Sequence, residues 1–277
     1  MERIPLNKKY IFDGKGILAL IGGFIGGIAL VASFNAISML IFKINYQYEN
    51  LYQLLLNAAG LLGAIFAFDF FVCRPSIGKK LNFKMSSANL MTYLLIFPMM
   101  FGMMLIAEFI TAQIPTTGPF FGEYYQYFAK LMEQMTSDEA TLILFAVLFA
   151  PVLEEIIFRG IIMKGLLNKG LKPKSAIIIS AVVFGIVHQN PWQFVGAVLL
   201  GSVLGLVYYK TKSLLLSILL HAFNNLVSSV LIFYGKTESF ADAFNVSEWL
   251  LLALGIILFT TFYILFTKKY RVHYNEN

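Results

Sequence analysis

Apolar runs of roughly bilayer-crossing length, separated by short polar segments, recur along almost the whole chain. A helix needs about 20 mainly apolar residues to cross the hydrocarbon core. The pattern predicts eight spans, at about 17–42, 51–73, 90–110, 140–158, 175–188, 192–209, 213–234 and 247–267. The expected fold class is all-α, a polytopic integral membrane helical bundle with one transmembrane domain over 1–277. The run from Ile17 to Phe42 follows basic residues, as a signal peptide does, but it is too long for a signal h-region and lacks a persuasive cleavage site. It is expected to remain as the first span.

The fifth run departs from the others. From Ser175 to His188 it has 14 residues, about 21 Å of helix against a hydrocarbon core of roughly 30 Å. It is expected to end inside the membrane, at the polar, proline-broken turn His188-Gln189-Asn190-Pro191. Irregular backbone at that depth is tolerated only where protein or a water-filled cavity surrounds it. The pattern alone therefore suggests a polar cavity.

Composition agrees with the bilayer as solvent. Hydrophobic residues make up 58% of the chain and charged residues 13%, far from the balance of a soluble domain. The net charge of +6 is distributed asymmetrically. Eighteen of the 21 Lys and Arg fall in alternate connections: Arg3, Lys8, Lys9 and Lys15; Arg74, Lys79, Lys80 and Lys84; Arg159, Lys164, Lys169, Lys172 and Lys174; Lys210 and Lys212; Lys268, Lys269 and Arg271. Only Lys43, Lys130 and Lys236 fall in the others. This is the positive-inside pattern, and it places both termini in the cytoplasm of a multi-pass protein; the expected location is the cell (plasma) membrane. The lipid bilayer is the expected partner, and no nucleic acid is needed to explain the basic balance. The single cysteine, Cys73, excludes an intrachain disulfide and any cysteine-cluster metal site.

Small residues recur at helix-contact spacing: Gly22, Gly23, Gly26 and Gly27 in the first span, and Ala197, Gly201 and Gly205 in the sixth. Such rows let helices approach closely in lipid. The long connection at about 111–139 carries Phe120, Phe121, Tyr124, Tyr125, Tyr127 and Phe128. It reads as an interfacial aromatic belt, with a substrate gate as the alternative.

Ionisable side chains inside spans are costly and are functional candidates by default. They are Asp69, Glu108, Glu154, Glu155, His188 and His221. Asp69, within reach of Arg74, and Glu108, near an outer end, are expected to be solvated at the interfaces. Glu154 and Glu155 close the fourth span, one turn after Pro151. Adjacent carboxylates in an apolar run repel and desolvate each other, which favours proton exchange near neutrality. Glu155 and Arg159 stand four apart and can pair, leaving Glu154, about 100° round the helix, for chemistry. The plain alternative is that both glutamates snorkel or pair with inner lysines. Phe184 and His188 share a helical face, as do His221 and Asn225. Either histidine alone would suit a packing role, but two of only three histidines lie deep in spans. Counted from the predicted ends, Glu154 and His221 lie about 10 Å from the inner surface and Asn225 a turn deeper, whereas His188 comes out at about 20 Å. Tilt or a deep start of the fifth helix must absorb that difference if one carboxylate, two imidazoles and an amide are to meet. Together they could activate water and stabilise an oxyanion.

The ordered trio of Glu154-Glu155-x-x-x-Arg159, Phe184-x-x-x-His188 and His221-x-x-x-Asn225 resembles the CPBP family of intramembrane proteases, which includes the CAAX prenyl proteases and the Abi-like members. The resemblance covers a core at about 141–234. It implies an intramembrane endopeptidase that hydrolyses a peptide bond of a membrane-associated protein or peptide. Glu154 would activate water with the help of His188, and His221 and Asn225 would bind the oxyanion. Glu155 and Arg159 would support the geometry, and Phe184 would position His188. The family has also been described as metal-dependent, and Glu154, His188 and His221 offer ligands enough for a divalent ion such as zinc. A metal-free glutamate mechanism is favoured, because asparagine is an uncommon zinc ligand and a good oxyanion donor, and no His-Glu-x-x-His pattern occurs. The alternative function is non-enzymatic: an immunity-type factor that sequesters a peptide, or a proton or ion carrier using the same buried groups.

Overall fold

The structure is a computed structural model that describes residues 8–46 and 50–270. Arg3 and Arg271, counted above among the inner charges, lie outside the described residues. In chain order the helices are α1 (Gly14–Phe42), α2 (Asn50–Phe68), α3 (Arg74–Ile77), α4 (Leu90–Ala112), α5 (Gly118–Met135), α6 (Glu139–Leu142), α7 (Ala150–Glu155), α8 (Lys164–Asn168), α9 (Pro173–Ile186), α10 (Pro191–Thr211), α11 (Leu214–Val230), α12 (Phe240–Phe244) and α13 (Glu248–Lys269). Wider π-helical stretches link several of them: Asp69–Cys73 joins α2 to α3, Ile143–Phe149 and Ile156–Met163 join α6, α7 and α8 into one run, and Leu231–Gly235 prolongs α11. Among the described residues there is no strand.

Six helical runs among the described residues are long and apolar enough to cross a bilayer: Gly14–Phe42, Asn50–Ile77, Leu90–Ala112, Pro191–Thr211, Leu214–Gly235 and Glu248–Lys269. They coincide within a few residues with six of the eight expected spans. The expected span 140–158 falls on the run from α6 to α8, and 175–188 falls on α9, a helix of 14 residues. Large apolar side chains stand exposed along α1 and α13, Leu18, Leu30, Phe34, Leu40, Trp249 and Ile257 among them. Surface of that kind belongs in lipid. The chain is an all-helical, multi-pass membrane protein.

The described residues divide into two compact units, one within Met1–Phe83 and Val152–Ala176, the other within Lys84–Pro151 and Ile177–Asn277. In the first, α1 and α2 pack through the expected glycines. A Cβ on Gly23 would sit 2.3 Å from the Gly63 carbonyl oxygen, and one on Gly27 would sit 1.9 Å from that of Ala59. Gly22 and Gly26 face open space, so half of the glycine row makes the contact. Asp13 caps α1, its carboxylate accepting from the backbone of Lys15 and Gly16. Gly27→Leu is expected to lower the thermal midpoint in detergent, at a cost of about 1–3 kcal/mol for overpacking. Gly26→Leu, with room for its side chain, should leave the midpoint unchanged.

One end of the first unit has a core of Tyr10, Phe68, Val72, Cys73 and Ile161. The Tyr10 hydroxyl donates to the Gly160 carbonyl, and Asn168 donates to the Tyr10 carbonyl at 2.8 Å. These bonds tie the segment before α1 to the π-helical stretch that follows Glu155. Asp69 is not solvated as expected but buried, because its carboxylate is taken up by Arg74 at 2.6 Å and by the Leu81 backbone N–H at 2.7 Å.

The second unit is centred on α4. Ile96, Met99 and Met100 meet Leu204 and Val207 of α10, Leu216 and Leu220 of α11, and Phe266 of α13. Here α4 and α13 pass closely at Gly102 and Gly255. Ala197, Gly201 and Gly205, the small row expected on the sixth span, are buried on α10.

Candidate active site

Glu154, Glu155 and Arg159 belong to the first unit, and Phe184, His188, His221 and Asn225 to the second. In the first, Glu155 ends α7 and Arg159 follows it four residues later in the π-helical stretch. Their side chains meet at 2.6 Å, and neither is exposed. A buried ion pair must recover a large desolvation cost, so its geometry is strongly constrained. Glu154, one residue earlier, is half-buried. The two adjacent carboxylates therefore stand in different environments, one sealed against a guanidinium and one at a surface.

In the second unit, α9 stops at Ile186, and His188 lies beyond its end in the turn before α10. Its Nδ1 is 2.8 Å from the Phe184 carbonyl oxygen. A carbonyl can only accept, so Nδ1 carries the proton and Nε2 of the neutral ring presents a lone pair. The Phe184 ring meets the His188 ring edge to face at 5.0 Å and the His221 ring at 5.5 Å. One buried phenyl thus brings together imidazoles 33 positions apart. His188 does not continue the α9 axis but turns with the chain beside Phe184.

Asn225 stands one turn after His221 on α11. Its Nδ2 donates to the Ala146 carbonyl at 2.7 Å, and its Oδ1 accepts from Asn224. Ala146 lies in the stretch Ile143–Phe149, where the wider π-helical winding shifts the backbone ladder. A carbonyl in such a stretch is a natural acceptor for a neighbouring side chain. One of the two amide protons of Asn225 is committed to this contact.

Three features of the second unit were not read from the sequence. The segment 111–139 is not merely a belt: it contains the 18-residue α5, whose Phe121, Tyr124, Tyr125 and Phe128 surround Trp192 at the start of α10, with ring centroids 4.9–6.3 Å away. The spacing of 121, 125 and 128 was the available signal. Tyr124 also donates to the Gln189 carbonyl, next to His188. Third, Glu108 is not simply solvated. It is half-buried and accepts from the Ser239 hydroxyl at 2.9 Å and the Phe240 backbone at 2.8 Å, beside a cavity of about 230 Å³ that Asp242 and Glu248 also line.

Among the described residues, within neither unit do three His, Cys, Asp or Glu side chains gather so as to hold a metal ion.

Residues 136–227 match the family model described as Rce1-like, type II CAAX prenyl endopeptidase. The matched segment contains Glu154, Glu155, Arg159, Phe184, His188, His221 and Asn225. No curated protein and no solved structure matches the chain.

Proposed function

We propose, from the match of residues 136–227 to the Rce1-like family, that this chain is an intramembrane endopeptidase of the cell membrane, acting on a membrane-associated protein or peptide. The observation that supports the reading is the Phe184 ring, which both imidazoles of the matched segment contact. Packing alone seldom calls for two histidines on one buried ring in lipid, where each polar group is costly.

The chemistry follows from the residue types. The Glu154 carboxylate takes a proton from a water, and the water oxygen attacks the carbonyl carbon of the scissile peptide. His188 assists, its Nε2 lone pair accepting the other hydrogen of that water while the Phe184 carbonyl holds Nδ1. Negative charge then develops on the carbonyl oxygen. His221 and the second amide proton of Asn225 donate to it, in a setting where donors fixed beforehand count for more than in water. The protonated Glu154 finally delivers its proton to the leaving nitrogen, the C–N bond breaks, and acid and amine are formed. Glu155 and Arg159 keep the helix end in register so that Glu154 faces the substrate.

The identifying experiment uses the full chain in lipid nanodiscs with a membrane-delivered peptide library, read by mass spectrometry. The wild type is expected to generate cleaved peptides and Glu154→Ala none, with turnover surviving a chelator. Equal product from both proteins would remove the peptidase reading. Loss of activity on chelation, restored by zinc, would replace the metal-free route by the metal-dependent one.

A further inference from the structure

His188 owes its position to a turn rather than to a helix. The turn is tied within itself: the Asn190 side chain donates to the His188 carbonyl at 2.9 Å and accepts from the Gln193 backbone at 2.8 Å, capping α10. Gln189, between them, has a φ of 57°, a left-handed conformation that is unfavourable for a non-glycine residue. A conformation of that kind persists when its surroundings hold it.

Part of that hold comes from α5. The Tyr124 hydroxyl donates to the carbonyl of Gln189, and the Gln193 side-chain amide reaches Met132 Sδ at 3.7 Å. Between these two contacts lies the aromatic cluster on Trp192. Trp192 is 7% exposed, and its indole N–H has no acceptor among the described residues, which works against the docked arrangement. Ring contacts and the Tyr124 bond together must outweigh it. The other side of α5 shows Phe120, Tyr127 and Leu131, 81%, 68% and 42% exposed. With Tyr124 they form an apolar stripe at i, i+4, i+7 and i+11, the spacing of a helix lying in a membrane interface.

We propose that α5 is an interfacial latch that holds His188 in its working position, with Tyr124 as the positioning residue. The inference rests on the peptidase reading for its effect on turnover, but the latch itself is a structural property. A misplaced assisting group lowers the chemical step more than substrate binding.

The test compares wild type, Tyr124→Phe and Tyr127→Phe in nanodiscs, by steady-state kinetics on a peptide the wild type cleaves and by amide hydrogen exchange of the stretch 187–193. Tyr124→Phe removes one oxygen atom and keeps the ring. It is expected to lower kcat by about 10-fold to 100-fold, leave KM within a factor of two or so, and speed exchange in 187–193 several-fold. Tyr127→Phe should change neither. Wild-type exchange in Tyr124→Phe, or faster exchange with an unchanged kcat, would overturn the proposal. Exchange repeated on Glu154→Gln protein separates the two ideas: accelerated exchange upon adding Tyr124→Phe supports the latch even if Glu154→Gln proves fully active and the peptidase reading fails.

Discussion

Glu154→Gln is expected to lower kcat by about 10²–10⁴-fold, the usual worth of a positioned proton-transfer group, with a thermal midpoint close to that of the wild type. Glutamine matches glutamate in shape and can still hydrogen-bond, so the substitution removes the ability to take a proton and little else. The expectation is specific to the first carboxylate of the doublet. Glu155 is sealed from solvent and committed to Arg159 at 2.6 Å, whereas Glu154 is half-buried. A base must reach water and substrate, and the sealed one does not. A raised KM alone, with kcat retained, would assign Glu154 to uniform substrate binding instead. Full activity would end its role as base.

Most of the membrane-spanning pattern could be read because bilayer thickness and helical rise act locally on each segment. The expected start of the sixth span at 192 and the observed start of α10 at Pro191 agree because Asn190 supplies the cap and proline suits a first helical position. The Glu155–Arg159 pair was equally local, four residues on one face. What escaped was decided by distant parts of the chain. Glu108 looked solvable at its interface, yet its acceptors' partners come from Ser239 and Phe240, more than 130 positions away. Gly102 has no signature in its own segment, because its role comes from the close approach of Gly255 on α13. The π-helical stretches beside Glu154 and at Ala146 carry no residue signature either; they persist where groups such as Asn225 and Tyr10 take up shifted carbonyls. The aromatic residues of 111–139 suggest an interface-seeking composition, but the stripe that faces Trp192 sets a helix beside the candidate catalytic turn.

Arg159→Met should be the most destabilising single change in the candidate site, lowering stability by about 3–5 kcal/mol. Both partners of the pair have no exposed side-chain surface, so removing the guanidinium leaves a carboxylate in an apolar interior with its counter-charge gone. Methionine is long enough to fill much of the space, and the loss is therefore charge rather than volume. The double variant Glu155→Leu/Arg159→Met separates these causes, since replacing a whole buried pair by apolar groups is often neutral or better. It should recover most of the midpoint lost by the single change when unfolding is followed in detergent. Turnover need not return with it. If the pair acts by holding the helix end that carries Glu154, the double variant will be stable and slow, with kcat reduced and KM little changed. A double variant as unstable as Arg159→Met would show that packing around the guanidinium, not its charge, holds this part of the first unit together.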